Sequence, residues 1–264
     1  MIGFFDSGIG GLTISEKVRE LLPRYDTLYL GDAANAPYGG KSHKELVDLT
    51  WAGTEWLFKQ GCHLVIIACN SASASALREI QQTKLGDYPG YRVLGIVRPT
   101  VEFLAQQNFH DVLILSTEAT EKSGAYVAEL KKLNPDIRIT SQACPRWAPM
   151  IEAGLAGTSE MREEVECTLT GVSRKHDAAL LACTHYPYVK DDVKATLGAK
   201  MQVHNQGKLV AESLRDYLAR HTDIESRLEQ TNRHDYFTTG DAHQAQKIAQ
   251  RFGFKVNFSQ KDTF

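Results

Sequence analysis

Two segments of the chain share one form: Leu64-Val-Ile-Ile-Ala-Cys-Asn-Ser-Ala-Ser73 and Ala178-Ala-Leu-Leu-Ala-Cys-Thr-His-Tyr-Pro187. In each, a short apolar run ends in Ala-Cys and passes at once into polar residues, Asn70 and Ser71 or Thr184 and His185. A free thiol is commonly a core residue, but such polar neighbours make poor core. Two cysteines of this kind open three chemistries: a redox disulfide, a metal site, or removal and return of a proton on opposite faces of one carbon. The chain holds five cysteines, without a C-x-x-C pair or zinc-ligand spacing, so no metal is expected. Proton transfer needs one base per face and suits two similar segments best. A helix N-terminus stabilises a thiolate, which leads us to expect Cys69 and Cys183 below the ordinary thiol value of about 8.5. Cys62, Cys144 and Cys167 read as buried structural residues.

The elements that must position these thiols alternate between strand and helix patterns. Strands are expected at Ile2–Phe5, Thr27–Leu30, Leu64–Ala68, Tyr91–Ile96, Val112–Leu115, Ile137–Thr140, Ala178–Ala182 and Met201–His204. Tyr236–Thr239 and Phe254–Phe258 close the chain around a helix at Ala242–Phe252. Asp6-Ser-Gly-Ile-Gly-Gly11 lets the backbone approach a ligand, but its spacing is not the dinucleotide fingerprint. Asp32–Gly40 is long for a strand–helix connector, which points to binding. Ser42 and Glu45 form a capping box for a helix through Phe58. Val97–Pro99 punctuates the chain, Ser116–Ser123 reads as a hydroxyl-rich loop, and a helical pattern covers Glu160–Ser173. Leu209–Leu218 is an amphipathic helix, and Thr222–His234 a loop or frayed helix end.

The expected fold class is therefore α/β, as two pseudo-symmetric open-sheet α/β domains with the active site in the cleft between them. Residues 1–97 with 208–264 would carry Cys69, and residues 98–207 Cys183, with hinges at Val97–Pro99 and Asn205–Lys208. Composition excludes several classes. A net charge of −2 with dispersed Lys and Arg gives no basic stripe for nucleic acid. No apolar run reaches the roughly 18 residues of a membrane span. Met1–Phe5 already reads as strand, so no signal peptide is expected, and the chain reads as cytoplasmic with reduced thiols.

Several phrases, in order along the chain, resemble the glutamate racemase family, within the aspartate/glutamate racemases. They are Phe5-Asp-Ser-Gly-Ile-Gly-Gly-Leu12, Pro37-Tyr-Gly39, Ala68-Cys-Asn-Ser71, Thr117-x-x-Thr120-x-x-Ser123, Cys183-Thr-His-Tyr-Pro187 and Tyr236-Phe-Thr-Thr-Gly-Asp241. The resemblance implies cofactor-independent interconversion of L- and D-glutamate for peptidoglycan synthesis. Cys69 and Cys183 fall on its two acid/base thiols, the first working on the D-glutamate proton and the second on the L-glutamate proton. Asp6 would assist Cys69, and Glu152 with His185 would assist Cys183. Asp6, Ser7, Tyr38, Gly39, Asn70, Ser71, Thr184 and His185 fall on substrate-contacting positions, and the hydroxyls of Thr117 and Thr120 suit the substrate carboxylates. The family admits a homodimer.

The chain departs from the family pattern at several points. Ser71 stands where threonine is commoner, Ala182 where glycine is, and His204-Asn-Gln-Gly207 replaces a stretch that usually carries an acidic residue. Arg98 and Arg146-Trp147 occupy usually apolar positions. The sequence starts at its first strand, so no activation through an N-terminal extension by a cell-wall precursor is expected. An aspartate racemase on the same scaffold, a non-catalytic partner-binding member and a pyridoxal phosphate enzyme are the rival readings.

Overall fold

The computed structural model describes residues 1–172, 175–198 and 200–263. The first stretch of chain folds as β1 (Ile2–Asp6), α1 (Leu12–Leu21), β2 (Thr27–Gly31), α2 (His43–Lys59), β3 (Leu64–Ile67), α3 (Asn70–Ser75), α4 (Leu77–Thr83) and β4 (Arg92–Gly95). The second gives α5 (Val97–Gln106), β5 (Asp111–Ser116), α6 (Glu118–Ser123), α7 (Ala125–Leu133), β6 (Arg138–Ala143), α8 (Trp147–Glu152), α9 (Ser159–Thr168), β7 (Ala178–Ala182), α10 (Lys190–Leu197) and β8 (Gln202–His204). The last consists of α11 (Gly207–Arg220), α12 (Thr222–Glu225), β9 (His234–Thr238), α13 (Ala242–Arg251) and β10 (Phe258–Gln260).

β1, β2, β3 and β7 are buried along their whole length. Strands apolar on both faces belong to parallel sheets covered by helices on each side. Two such sheets form, in the orders β10-β9-β2-β1-β3-β4 and β6-β5-β7-β8, and every pairing is parallel. The order 2-1-3-4 in the first recurs as 6-5-7-8 in the second, with β9 and β10 added beyond β2. β3 and β7 are therefore equivalent, and so are the cysteines that follow them.

Apolar clusters cover both faces of each sheet. Leu12, Ile14 and Val18 of α1 meet Val210, Leu214 and Leu218 of α11 on one face of the first sheet, and Leu46, Leu57 and Phe58 of α2 cover the other. Trp147, Met161 and Val165 cover one face of the second, while Val101, Leu104 and Tyr126 cover the other.

Some expectations need correction. Val97–Pro99 does not interrupt the chain but opens α5; a proline fits there because the N–H groups of a first helical turn have no intrahelical acceptor. Ser116–Ser123 is not a loop: Thr117 caps α6 by accepting from Thr120 N at 3.3 Å. The final strand pairs at Phe258–Gln260 rather than Phe254–Phe258, while Phe254 and Val256 pack into the core. α9 ends at Thr168, and Ser173 lies outside the described residues. Cys62 and Cys144 are buried as expected, but Cys167 is exposed. It lies two residues beyond Val165, on the opposite side of α9 from that buried contact.

The unusual charges are also accounted for. Arg98 pairs with Glu102, and Arg146 Nη1 with Glu164 Oε2 at 2.7 Å. Trp147 is fully buried, its indole N–H donating to Thr168 Oγ1 at 3.2 Å.

The packing of α2 on β1 predicts the effect of one methyl group. A Cβ on Gly53 would lie 2.2 Å from Phe5 Cε2, in the core. Gly53→Ala should therefore lower stability by about 1–3 kcal/mol despite its better helix propensity. Urea unfolding checks this, with Gly86→Ala as control, since a methyl there meets nothing within 4 Å; an unchanged midpoint for Gly53→Ala would refute the packing.

Candidate active site

Open parallel sheets present their carboxyl-end loops to ligands. Here loops from both sheets line one cavity of about 310 Å³. Ser7 follows β1, Tyr38 and Gly39 follow β2, and Cys69, Asn70 and Ser71 follow β3. From the second sheet come Thr117 after β5, Ala148, Pro149 and Glu152 after β6, and Cys183, Thr184 and His185 after β7. The internal repeat thus delivers one thiol from each sheet to the same space.

The glycine-rich loop after β1 packs closely against the Cys183 loop of the other half. A Cβ on Gly10 would sit 2.5 Å from Thr184 Oγ1 and 2.6 Å from His185 Cε1. Thr13 Oγ1 donates to Gly10 O at 2.8 Å and lies 3.3 Å from Thr184 O, tying α1 to the Cys183 loop. Asp6 is fully buried behind this loop, with Oδ2 accepting from Gly8 N at 3.1 Å and Oδ1 lacking a partner. Burial raises its pKa, against the opposing field of His185.

The loop after β2 is anchored by Asp32. This buried carboxylate accepts from Tyr38 Oη at 2.6 Å, from Asn35 Nδ2 at 3.0 and 3.1 Å, and from Thr239 Oγ1 at 2.7 Å. Burial and the Asp32 charge push the Tyr38 phenol far above its ordinary value, so it stays a donor. The backbone of Gly39 accepts from Ala119 N at 2.8 Å, joining this loop to α6.

Cys69 is the residue before α3, and its Sγ lies 3.7 Å from Ser7 Oγ. Burial, reinforced by Asp6, pushes this thiol up to about 12 and outweighs the backbone N–H of Ala72 and the Ser7 hydroxyl. The expected lowering by the helix terminus therefore fails at Cys69, because desolvation of an anion in a closed site is the larger effect. On the other wall, Cys183 Sγ stands 3.9 Å from His185 Nδ1, and His185 Nε2 donates to Glu152 Oε1 at 2.9 Å. Burial alone would lower the His185 pKa, but the Cys183 sulfur and the Glu152 carboxylate outweigh it and hold it well above 6.5. Glu152 is lowered in return, because the His185 contact exceeds its burial cost.

Asp6 and Thr120, both expected to touch a substrate, do not line the cavity. Asp6 sits beneath Cys69 and Ser7. Thr120 lies behind Thr117, whose Oγ1 contacts Thr120 Oγ1 at 3.0 Å and Ser71 Oγ at 2.8 Å. The Ser71–Thr117 contact itself crosses between the halves. Sequence reasoning missed Ala148 and Pro149, whose signal was available: they lie one turn before Glu152 on α8. It also missed the anchoring role of Asp32, an acid at a strand exit whose donors are Asn35 and Tyr38 nearby and Thr239 207 residues away. Among the described residues the lining includes no Lys or Arg; its ionisable groups besides the thiols and Tyr38 are Glu118, Glu152 and His185. Among the described residues no three His, Cys, Asp or Glu side chains are grouped to hold a metal ion, and no helix is long and apolar enough to cross a membrane.

Residues 12–212 match the family model described as Asp/Glu/Hydantoin racemase. The chain is 41% identical to a glutamate racemase of Caulobacter sp. (strain K31), over 85% of this chain and 87% of that one. Its fold matches the crystal structure of a glutamate racemase isoform from Bacillus anthracis at 28% identity, with a TM-score of 0.89 over 99% of this chain and 97% of the other. It also matches the glutamate racemase of Francisella tularensis solved in complex with D-glutamate, at 25% identity and a TM-score of 0.88, covering 100% and 97% of the two chains.

The His185–Glu152 pair predicts a pH signature. A raised His185 stabilises the fold fully below the unfolded value of 6.5 and loses that contribution as pH rises through its folded pKa. A lowered Glu152 contributes fully above 4.5 and loses it as pH falls through its folded pKa. The pair therefore stabilises most between about pH 4.5 and 6.5. Glu152→Gln should bring His185 down toward its ordinary value in an NMR titration, and its stability deficit should be largest in that window. A His185 pKa unmoved by the substitution would contradict this geometry.

Proposed function

Because the chain belongs to the Asp/Glu/Hydantoin racemase family, we propose that it interconverts L- and D-glutamate, using Cys69 and Cys183 as its two acid/base groups. The observation that carries this reading is the pair of buried free thiols lining one cavity from equivalent positions of two sheets. Curated relatives named glutamate racemase support glutamate as the substrate. The reaction needs no cofactor, and the D-glutamate formed in the cytoplasm serves peptidoglycan synthesis.

In the L-to-D direction, Cys183 as thiolate takes the α-proton, leaving a carbanion whose charge spreads into the α-carboxylate. The S–H of Cys69 then delivers a proton to the opposite face, and Cys69 is left as the thiolate. The reverse direction exchanges these roles. A Cys69 pushed up to about 12 rests as the thiol, ready to donate. The His185 imidazolium, 3.9 Å from Cys183 Sγ, supplies the counter-charge that a thiolate there requires. Ser7, Asn70, Ser71, Thr117 and Thr184 provide neutral hydrogen-bonding partners for the substrate. Thr120 orients Thr117, and Asp6 acts on Cys69 from beneath. With no Lys or Arg among the described residues of the lining, the ground state is not held so tightly that the carbanion gains nothing.

The primary test is solvent exchange. In D₂O, without added metal, nucleotide or pyridoxal phosphate, the product enantiomer should acquire deuterium at Cα before the remaining substrate does. Cys69→Ser and Cys183→Ser should each lower racemisation about 10²–10⁴-fold. Substrate recovered with deuterium ahead of product would mean a single base. Aspartate assayed beside glutamate decides between the two substrates.

A second test locates the helpers. Enantiomers have equal free energy in water, so kcat/KM must remain equal in the two directions for every variant. The asymmetry appears in isotopes instead. Asp6→Asn should raise the primary isotope effect on kcat/KM for α-deuterated D-glutamate and bring that for L-glutamate toward unity. His185→Asn should give the mirror pattern. Equal effects in both directions for either variant would remove that helper from its thiol.

A further inference from the structure

Gln206 lies at the centre of a buried hydrogen-bond ring behind the Cys69 wall. Its Oε1 accepts from Asn70 Nδ2 at 2.8 Å, and its Nε2 donates to Tyr126 Oη at 2.6 Å and to Thr100 Oγ1 at 3.0 Å. Tyr126 Oη closes the ring by donating to Asn70 Oδ1 at 2.6 Å. Asn70, Thr100 and Gln206 are at most 3% exposed, and Tyr126 is 3% exposed. The ring lies just behind the cavity, since Asn70 follows Cys69 and lines it.

One bond fixes the direction of the whole ring. Thr100 Oγ1 donates its only hydrogen to Ile96 O at 2.7 Å. It can then only accept from Gln206, so the Gln206 atom facing it must be Nε2. Tyr126 meets the same nitrogen and must accept there, which turns its own hydrogen to Asn70 Oδ1. The amide of Asn70 is thereby held in one of its two orientations, with one N–H and one lone pair left uncommitted. The chain of constraint starts at Ile96 and passes through residues at both crossings between the sheets.

We propose that Gln206 is a positioning residue that sets the polarity of the Asn70 amide toward the substrate. This rests on the reading of the cavity as the glutamate site. Without the ring, the amide can flip and present its oxygen where the substrate carboxylate needs a donor. Binding should weaken more than turnover, so the loss should fall mainly on KM.

The test compares Gln206→Met with Gln206→Glu. Methionine matches the length but neither donates nor accepts strongly; kcat/KM should fall roughly ten- to a hundredfold, mostly through KM, with the ratio to wild type independent of pH. A neutral glutamic acid reproduces the acceptor and one donor of glutamine. Once ionised it only accepts, and draws the Tyr126 hydrogen away from Asn70. The Gln206→Glu ratio to wild type should therefore approach one at low pH and fall as pH rises, an ionisation absent from the wild type. Calorimetric titration with glutamate should show the same pattern in Kd. Altered melting temperature with unchanged KM and Kd, or ratios with the same pH dependence for both variants, would overturn the proposal. Failure of the wild type to exchange the α-proton of glutamate would instead strike the functional reading, while the calorimetry still judges the ring.

Discussion

A parallel strand buried on both faces can carry polar chemistry only beyond its end. β1, β3 and β7 leave no room for a titratable group along their apolar lengths, except for Asp6 at the terminus of β1. Asp6, Cys69 and Cys183 are consequently held at the carboxyl edge. Because the 2-1-3-4 order is repeated as 6-5-7-8, this single constraint operates twice. The two edges meet, and the cavity between them receives a thiol from each.

The walls are nevertheless not mirror images in their electrostatics. Cys69 is enclosed and backed by a buried carboxyl group, and these keep the proton on sulfur against the pull of the Ser7 hydroxyl. Cys183 is backed by an imidazole whose charge is maintained by Glu152. A symmetrical fold has thus been filled with asymmetrical partners. In the proposed reaction, proton donor and proton acceptor would be distinguished by what lies behind each sulfur rather than by the sulfur itself.

Much of this organisation is legible in the sequence. Apolar runs ending in Ala-Cys reveal β3 and β7 and the thiols at their exits, and Ser42 with Glu45 marks the start of α2. What was misread has local causes. Pro99 looks like a break, yet a first helical turn tolerates it, so α5 was hidden. Thr117 and Thr120 look like a pair of ligand hydroxyls, whereas the same spacing caps a helix and leaves Thr120 behind Thr117. The thiol at Cys69 was expected to be acidified by a helix end, but desolvation depends on the whole enclosure and cannot be read from neighbouring letters. Likewise, the partners of Gln206 come from three separate elements, which no local pattern connects.

Asp32 ties the architecture to the order of synthesis. Its carboxylate receives Thr239 from 207 residues further along the chain, beside a strand pair in which β9 covers the edge of β2. While the chain emerges from the ribosome, β2 remains an open edge, a template for mispairing. During that interval Asp32 also lacks one of the donors that hold the Tyr38 loop. The wall of the cavity beside Thr117 is thus finished only after residue 239 has appeared. A nascent chain that already contains both thiols still lacks a completed chamber in which to use them.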